Sequence, residues 1–220
     1  MASRASPGVT AAGYANRIPL NIGQNDSIVF ADSATDYKPS NAMADAMEYH
    51  VSPGYFQAAA TTVLEGRTFT WNDGKDAPRV AVVNQELARK VFGSVAKAMS
   101  AYFKVWGGRR IQVVGVVEDG KYVTLSENPK PAMFLPALQS QSSDTWLLVR
   151  SNCSPQELGA ALQRTLHGLD AGLPFTINTW SKQLDTALFA ARAASMALGV
   201  LGRLGRCWRL RASSGWLPIQ

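Results

Sequence analysis

Two short apolar runs constrain this fold more than any other feature. Arg79-Val-Ala-Val-Val83 and Ile111-Gln-Val-Val-Gly-Val-Val117 are rich in valine and too short to be independent helices, so both read as buried strands. The second is the strongest strand signal in the chain, set off by Gly107-Gly108 before it and Glu118-Asp119-Gly120 after it. Asn84 directly follows the first run and predicts a helix N-cap. Leu87, Ala88, Val91 and Phe92 then fall at helical spacing, and Gly93 ends the helix. A strand that runs straight into a capped helix is a β–α unit.

Further strands are predicted at Val9–Ile18 (closed by Pro19), Ser27–Phe30, Ala46–Val51, Ala132–Leu135, Trp146–Val149 and Phe175–Thr179. Asn21–Asn25 reads as a turn and Asp32–Asn41, with Pro39, as a loop. Gly66 and Asn72–Pro78 are turns around Arg67-Thr-Phe-Thr-Trp71. Ser52-Pro53 predicts a short helix through Tyr55 and Phe56, with Ser52 as N-cap and Pro53 at the first helical position. The best-defined helix runs from Pro155 to Leu169. Ser154 and Glu157 form its capping box, and Leu158, Ala161, Leu162, Thr165, Leu166 and Leu169 make one apolar stripe.

Composition excludes several classes. With 46% hydrophobic and 17% charged residues in 220, the chain is neither disordered nor fibrous. Two cysteines exclude a disulfide-stapled miniprotein and a Cys-rich zinc module, and nothing in the sequence pairs Cys153 with Cys207. The net charge of +6 is unevenly spread. Residues 1–191 hold 17 Lys and Arg against 16 Asp and Glu, a balance of +1. Arg192, Arg203, Arg206, Arg209 and Arg211 put the remaining +5 into the last 29 residues. A nucleic-acid face needs Lys and Arg clustered on the folded body, so no nucleic-acid partner is expected.

A last helix is predicted to begin near Ser181. Lys182, Gln183 and Asp185 make its start amphipathic, and from Ala187 to Leu201 it is apolar all round except for Arg192 and Ser195. Fifteen helical residues span only ~22 Å, against a bilayer core of roughly 30 Å. The segment has the character of a membrane helix that stops early, because each arginine beyond it would cost ~2.5–3.5 kcal/mol at a bilayer centre. No N-terminal signal peptide is visible.

The chemistry-bearing residues do not form a recognised catalytic pattern. No phosphate-binding loop, H-E-x-x-H zinc motif or G-x-S-x-G elbow is present. Gly115-Val-Val-Glu-Asp-Gly120 has the wrong glycine spacing for a dinucleotide site. His50 with Ser52 would be a base and nucleophile in a functional reading and a half-buried strand histidine in the bland one. His167 suits the C-terminal end of its helix dipole. Glu118 and Asp119 are strand-end neighbours that point to opposite faces, so they read as turn residues. Trp71, Trp106 and Trp146 are expected to pack the core rather than line a pocket. No catalytic, cofactor-binding or metal-binding residue is assigned, and no cofactor is expected.

The order of motifs resembles a known family. Val51-Ser-Pro-Gly-Tyr-Phe56, Leu64-Glu-Gly-Arg-Thr-Phe69, Arg79-Val-Ala-Val-Val-Asn84, Ala88-Arg-Lys-Val-Phe-Gly93, Ile111-Gln-Val-Val-Gly-Val-Val-Glu-Asp119 and Ala132-Met-Phe-Leu-Pro136 are similar to the MacB-like periplasmic core domain of FtsX-like ABC transporter permeases. The likeness covers roughly residues 8–200. It implies an α+β fold, with a porter-like β–α subdomain formed from both chain ends (1–66 and 130–186) and a smaller α/β subdomain, 67–129, inserted in the middle. Residues 187–201 would then begin a projecting membrane helix, followed by an atypical basic tail at 202–220. The resemblance implies a non-catalytic extracytoplasmic domain of an export or lipoprotein-handling permease. Such a domain couples hydrolysis by a separate ATPase to movement outside the membrane. Its implied partners are that ATPase, the permease's membrane helices and a second copy of the permease. Its implied place is the plasma membrane, with the folded body on the extracytoplasmic side.

Three features depart from the family pattern. The first membrane helix has no counterpart, Gly202 to Ala212 abandons the apolar pattern, and Ser94–Ser100 replaces an acidic-Pro-Ile-Gly turn. They predict a permease fragment whose tail is read in a shifted frame. The encoding DNA checks this: a single-base shift downstream of codon 201 should restore an apolar frame. Two alternative readings are a soluble enzyme, which would bury Ala187–Leu201 internally, and a membrane-surface module acting through the Arg/Trp tail.

Overall fold

The computed structural model describes residues 8–21, 26–140, 145–170, 172, 174–185 and 188. They fall into two units that divide between Ile177 and Asn178. In the second unit residues 180–185 are helical, in line with the helix predicted near Ser181. Apart from Leu188, the predicted apolar segment Ala187–Leu201 and the tail lie outside the described residues.

The first unit holds strands β1 (Val9–Ala15), β2 (Asp26–Ala31), β3 (Ala44–Val51), β4 (Val63–Gly66), β5 (Val80–Asn84), β6 (Tyr102–Val105), β7 (Arg109–Val117), β8 (Ala132–Pro136) and β9 (Trp146–Ser151). Its helices are α1 (Tyr55–Ala59), α2 (Gln85–Phe92), α3 (Val95–Ala98) and α4 (Pro155–Leu169). The fold is mixed α and β. Strand neighbours run β2-β6-β7-β5-β8-β3-β1-β9, with β4 paired to the C-terminal part of β7. The β5–β7 and β3–β8 pairs are parallel and the others antiparallel. Because β2 also pairs with β3, from Asp26↔Met47 to Val29↔Ala44, the six strands β2, β6, β7, β5, β8 and β3 close into a ring.

Side-chain alternation then sorts two cores. All six ring strands contribute to the first, through residues such as Val29, Ala46, Val83, Phe103, Val113 and Met133, so it is the ring interior. Leu87 and Ala88 of α2 and Ala98 of α3 complete it. The second lies on the outer face of β3, β5, β7 and β8. There Tyr55 and Phe56 of α1 meet Tyr49, Phe69, Tyr122 and Phe134. The Phe134 ring lies 5.1 Å from Phe56 and 5.4 Å from Tyr49, within the range of favourable aromatic pairs. Burial pushes the Tyr49, Tyr55 and Tyr122 phenols up, so all three stay neutral at physiological pH. With a core on each face, every residue of β5 is buried. That is why its sequence is a continuous apolar run rather than an alternating one.

β5, β6 and β7 fall within 67–129 and pair with β8 and β2 from the flanking segments, so one sheet serves the whole unit. Two glycines lock α1 onto β1. A Cβ on Gly54 would lie 2.2 Å from the Ala12 carbonyl oxygen, and one on Gly13 would lie 2.5 Å from the Tyr55 backbone.

Several expectations need correction. Residues 175–179 form no strand. They have strand-like composition, but a strand also needs a paired neighbour, and none is assigned there among the described residues. Ser52 does not cap α1. The N-cap is Gly54, without a side-chain bond, while the Ser52 hydroxyl accepts from the Tyr14 amide at 2.8 Å and so ties β3 to β1. β4, β6 and α3 were not predicted. Four of the five residues in the predicted Asn21–Asn25 turn lie outside the described residues. The caps of α2 and α4 match expectation: Asn84 accepts from Leu87, Gly93 takes the left-handed C-cap, and Ser154 accepts from Glu157.

Candidate functional site

The best-organised polar cluster sits where β5 turns into α2. Asn84 is fully buried, and its amide is saturated. Its oxygen accepts from the Leu87 and Ala132 amides, at 3.0 and 2.9 Å, and its nitrogen donates to Asp119 Oδ1 and the Lys130 carbonyl, both at 2.8 Å. Asp119 Oδ1 also accepts from the Glu86 amide at 2.7 Å, and its Oδ2 pairs with Arg89 at 2.9 Å. A carboxylate at the first turn of α2 satisfies a helix N–H and opposes the positive end of the helix dipole. Glu118 turns the other way and accepts from the Thr62 amide at 2.8 Å. The two adjacent carboxylates therefore diverge, and each is committed to backbone.

A second cluster lies at the opposite end of β5. Along the inward face, Ala44 and Ala46 of β3 give way to Glu48 and His50. In the same sense, Val83 and Ala81 of β5 lead to Arg79, and Val113 and Ile111 of β7 lead to Arg109. His50, Arg79, Arg109, Leu135 and Gln139 line one cavity of about 50 Å³ there. His50 Nε2 lies 2.9 Å from Glu48 Oε1, with both side chains about 15% exposed. The hydrogen bond to His50 holds the Glu48 carboxyl below the usual carboxylate range, and Ser27 and Arg109 act in the same direction against burial. An ionised carboxylate only accepts, so Nε2 carries the proton. Ser52 is not within this arrangement, since its hydroxyl is held by Tyr14.

A third tie joins Arg67 to Asp73 through two parallel bonds of 2.8 and 2.9 Å. Asp73 also accepts from the Thr70 amide and hydroxyl. The Arg67 guanidinium keeps the Asp73 carboxyl below its ordinary range. His167 stacks edge-on against Phe175 at 5.2 Å. Trp71 and Trp106 are 55% and 57% exposed, so the expectation that they pack the core is corrected. Trp71 stands on a turn and Trp106 opens the short 3-10 helix Trp106–Gly108, both outside the paired strands. Trp146 is half-buried at the start of β9, and Cys153 is exposed, while Cys207 lies outside the described residues. Among the described residues, no group of three or more His, Cys, Asp and Glu side chains is placed to hold a metal ion.

Sequence reasoning passed over Arg79, Arg109 and Arg67. The first two were legible in principle, because positions 79, 81, 83 and 109, 111, 113 share a face once both runs are read as strands.

The comparisons with known proteins agree with this architecture. The family model of the MacB-like periplasmic core domain matches residues 4–165. No curated protein matches the chain. Among solved structures, the periplasmic region of MacB from Actinobacillus actinomycetemcomitans is similar, with a TM-score of 0.51 and 14% identity over 75% of this chain and 69% of that one. The extracellular domain of the ABC-type transporter YknZ from Gram-positive bacteria is 20% identical over 76% of this chain and 81% of that one, with a TM-score of 0.48. A domain of a permease protein from Porphyromonas gingivalis, described there as putative, is 18% identical over 83% of this chain and 86% of that one, with a TM-score of 0.49. The family match spans most of the chain and includes the Asn84 node, the Gly54 contact and the two buried valine runs, so the chain belongs to the MacB-like periplasmic core domain family, the periplasmic domains of ABC transporter permeases.

Proposed function

We propose that this chain is a mechanical, non-catalytic element of an export or lipoprotein-handling permease, held on the extracytoplasmic side of the plasma membrane. In that role it passes on motion driven by a separate ATPase. One observation carries the reading: the hydrogen-bonded sheet runs unbroken from β9 through the closed ring to β6. A load entering at β1 and β9 therefore reaches β6 and β7 through backbone pairing, without crossing a loop. The polar groups support the same view. Asp119 and Glu118 are each spent on backbone or guanidinium partners that join elements, and Asp73 is spent on Arg67 and Thr70 within the connection from β4 to β5. Within this reading, segment 67–129 is the inserted portion and the flanking segments are the portion nearer the membrane.

The test is a chimera in which residues 1–177 replace the corresponding domain of an intact MacB-like permease. Transport is expected to exceed that of the same permease with the domain deleted, at equal ATP hydrolysis. A chimera that hydrolyses ATP and transports no better than the deletion overturns the proposal.

A further inference from the structure

The end of the strand ring away from α2 combines features that the mechanical role leaves unused. Arg79 and Arg109 are exposed there and make no hydrogen bond or ion pair among the described residues. Each continues an inward-facing row that is otherwise apolar, and the Gln112 amide donates to the Arg79 carbonyl, so the two strands that carry them are adjacent. Between them lies the small cavity floored by His50. His50 Nδ1 is buried and has no hydrogen-bond partner among the described residues. An unpaired buried polar atom is costly, and it calls for an explanation other than packing.

We propose that this mouth is a binding site for one oxyanion group of phosphate size, gripped by Arg79 and Arg109 above the His50–Glu48 pair. Guanidinium groups offer paired N–H donors in a planar fork that matches phosphate oxygens. The Glu48 carboxylate accepts from His50 at 2.9 Å and is also attracted by Arg109, so two guanidinium charges face one carboxylate and leave the mouth with a positive excess. The cavity, about 50 Å³, has room for a small ligand group, and the guanidinium pair selects an oxyanion. The shared chemistry is a phosphate group, either free or at the head of a lipid.

The experiment uses the full chain and titrates inorganic phosphate while following the His50 ring resonances by NMR. The His50 signals are expected to shift with saturation. The double variant Arg79→Gln/Arg109→Gln should weaken binding at least about tenfold, the loss expected when two charge-assisted contacts go. Both side chains are exposed and neither makes a direct hydrogen bond or salt bridge among the described residues, so the variant keeps its fold, as circular dichroism will check. Lys75→Gln/Lys90→Gln removes the same charge elsewhere on the surface and should leave affinity unchanged. Vesicles of phosphatidylcholine with and without phosphatidic acid separate the sources. Binding to the acidic vesicles that falls in the arginine variant assigns a lipid headgroup. Vesicle binding equal in both proteins, with phosphate binding lost in the variant, assigns a free oxyanion. No His50 shift up to about 20 mM phosphate, or equal affinity in the arginine and lysine variants, overturns the site.

Discussion

Replacing Asn84 by Ala removes four hydrogen bonds at once and leaves the Leu87 and Ala132 amides without their acceptor in a buried position. Loss of a cap costs ~0.5–2 kcal/mol, and each buried group left unsatisfied ~1–3 kcal/mol. Asn84→Ala should therefore lower stability by about 1.5–5 kcal/mol in urea denaturation. Asn84→Asp keeps both acceptor bonds but sets a second carboxylate against Asp119. Its penalty should shrink when Asp119→Asn is added, which a double-mutant cycle measures. The cap at Asn84 was legible in the sequence. Its other bonds were not, because they reach residues 35 to 48 positions away. Glycines divide in the same way. Gly54→Ala meets the Ala12 carbonyl and should cost more than about 1 kcal/mol, whereas Gly74 has open space and negative φ, so Gly74→Ala should be neutral or stabilising by ~0.4–1 kcal/mol. Asp73 adds a pH dependence. Its folded pKa is depressed, so its contribution is complete above the unfolded value of about 3.9 and is lost as pH falls below it. Asp73→Asn should flatten the acid limb of a stability–pH curve, and an unchanged slope below about pH 4 would contradict the Arg67 tie.

Helices α2 and α4 show what periodicity does and does not report. Both were legible from caps and apolar spacing, but α2 inserts Leu87 and Ala88 into the ring interior while α4 has no buried residue. A stripe tells which face is apolar and not how completely it is covered. Leu87→Ala should accordingly cost ~2–5 kcal/mol and Leu162→Ala less than about 2 kcal/mol, read from chemical denaturation of the two variants. Equal losses would mean that α4 is packed as tightly as α2. Strand β4 escaped prediction for a related reason. All four of its residues are exposed, so no burial pattern marks it, and only its pairing with β7 makes it a strand. Residues 175–179 are the converse case, β-prone in composition and without a paired neighbour among the described residues.

Ring closure is the property of the whole molecule that no local pattern announced. The pairing of β2 with β3 joins residues near the start of the chain, and the ring is completed only when β6, β7, β5 and β8 fill the gap between them. Short-range signals specified the two valine runs. The order in which strands associate depends on contacts spread across the chain, which neither the local patterns nor the family resemblance specified. Closure also determines how stability should be distributed. Ring strands β5, β7 and β8 have partners on both edges and a core on each face, so their amides open only when the unit unfolds. Among the described residues β9 pairs on one side only, with β1, and Leu147 is 46% exposed. Hydrogen exchange should therefore rank β5, β7 and β8 as the most protected elements, with β9 and α4 exchanging through local opening. That ranking bears on the mechanical reading, because a body that transmits load needs a stiff centre and tolerates compliance at its margin. Protection in β9 equal to that in β5 would show the sheet opening as one unit from edge to edge. Rapid exchange in β5 or β7 would show that the ring opens below the global unfolding limit, and a ring that opens so readily cannot carry force between its two sides.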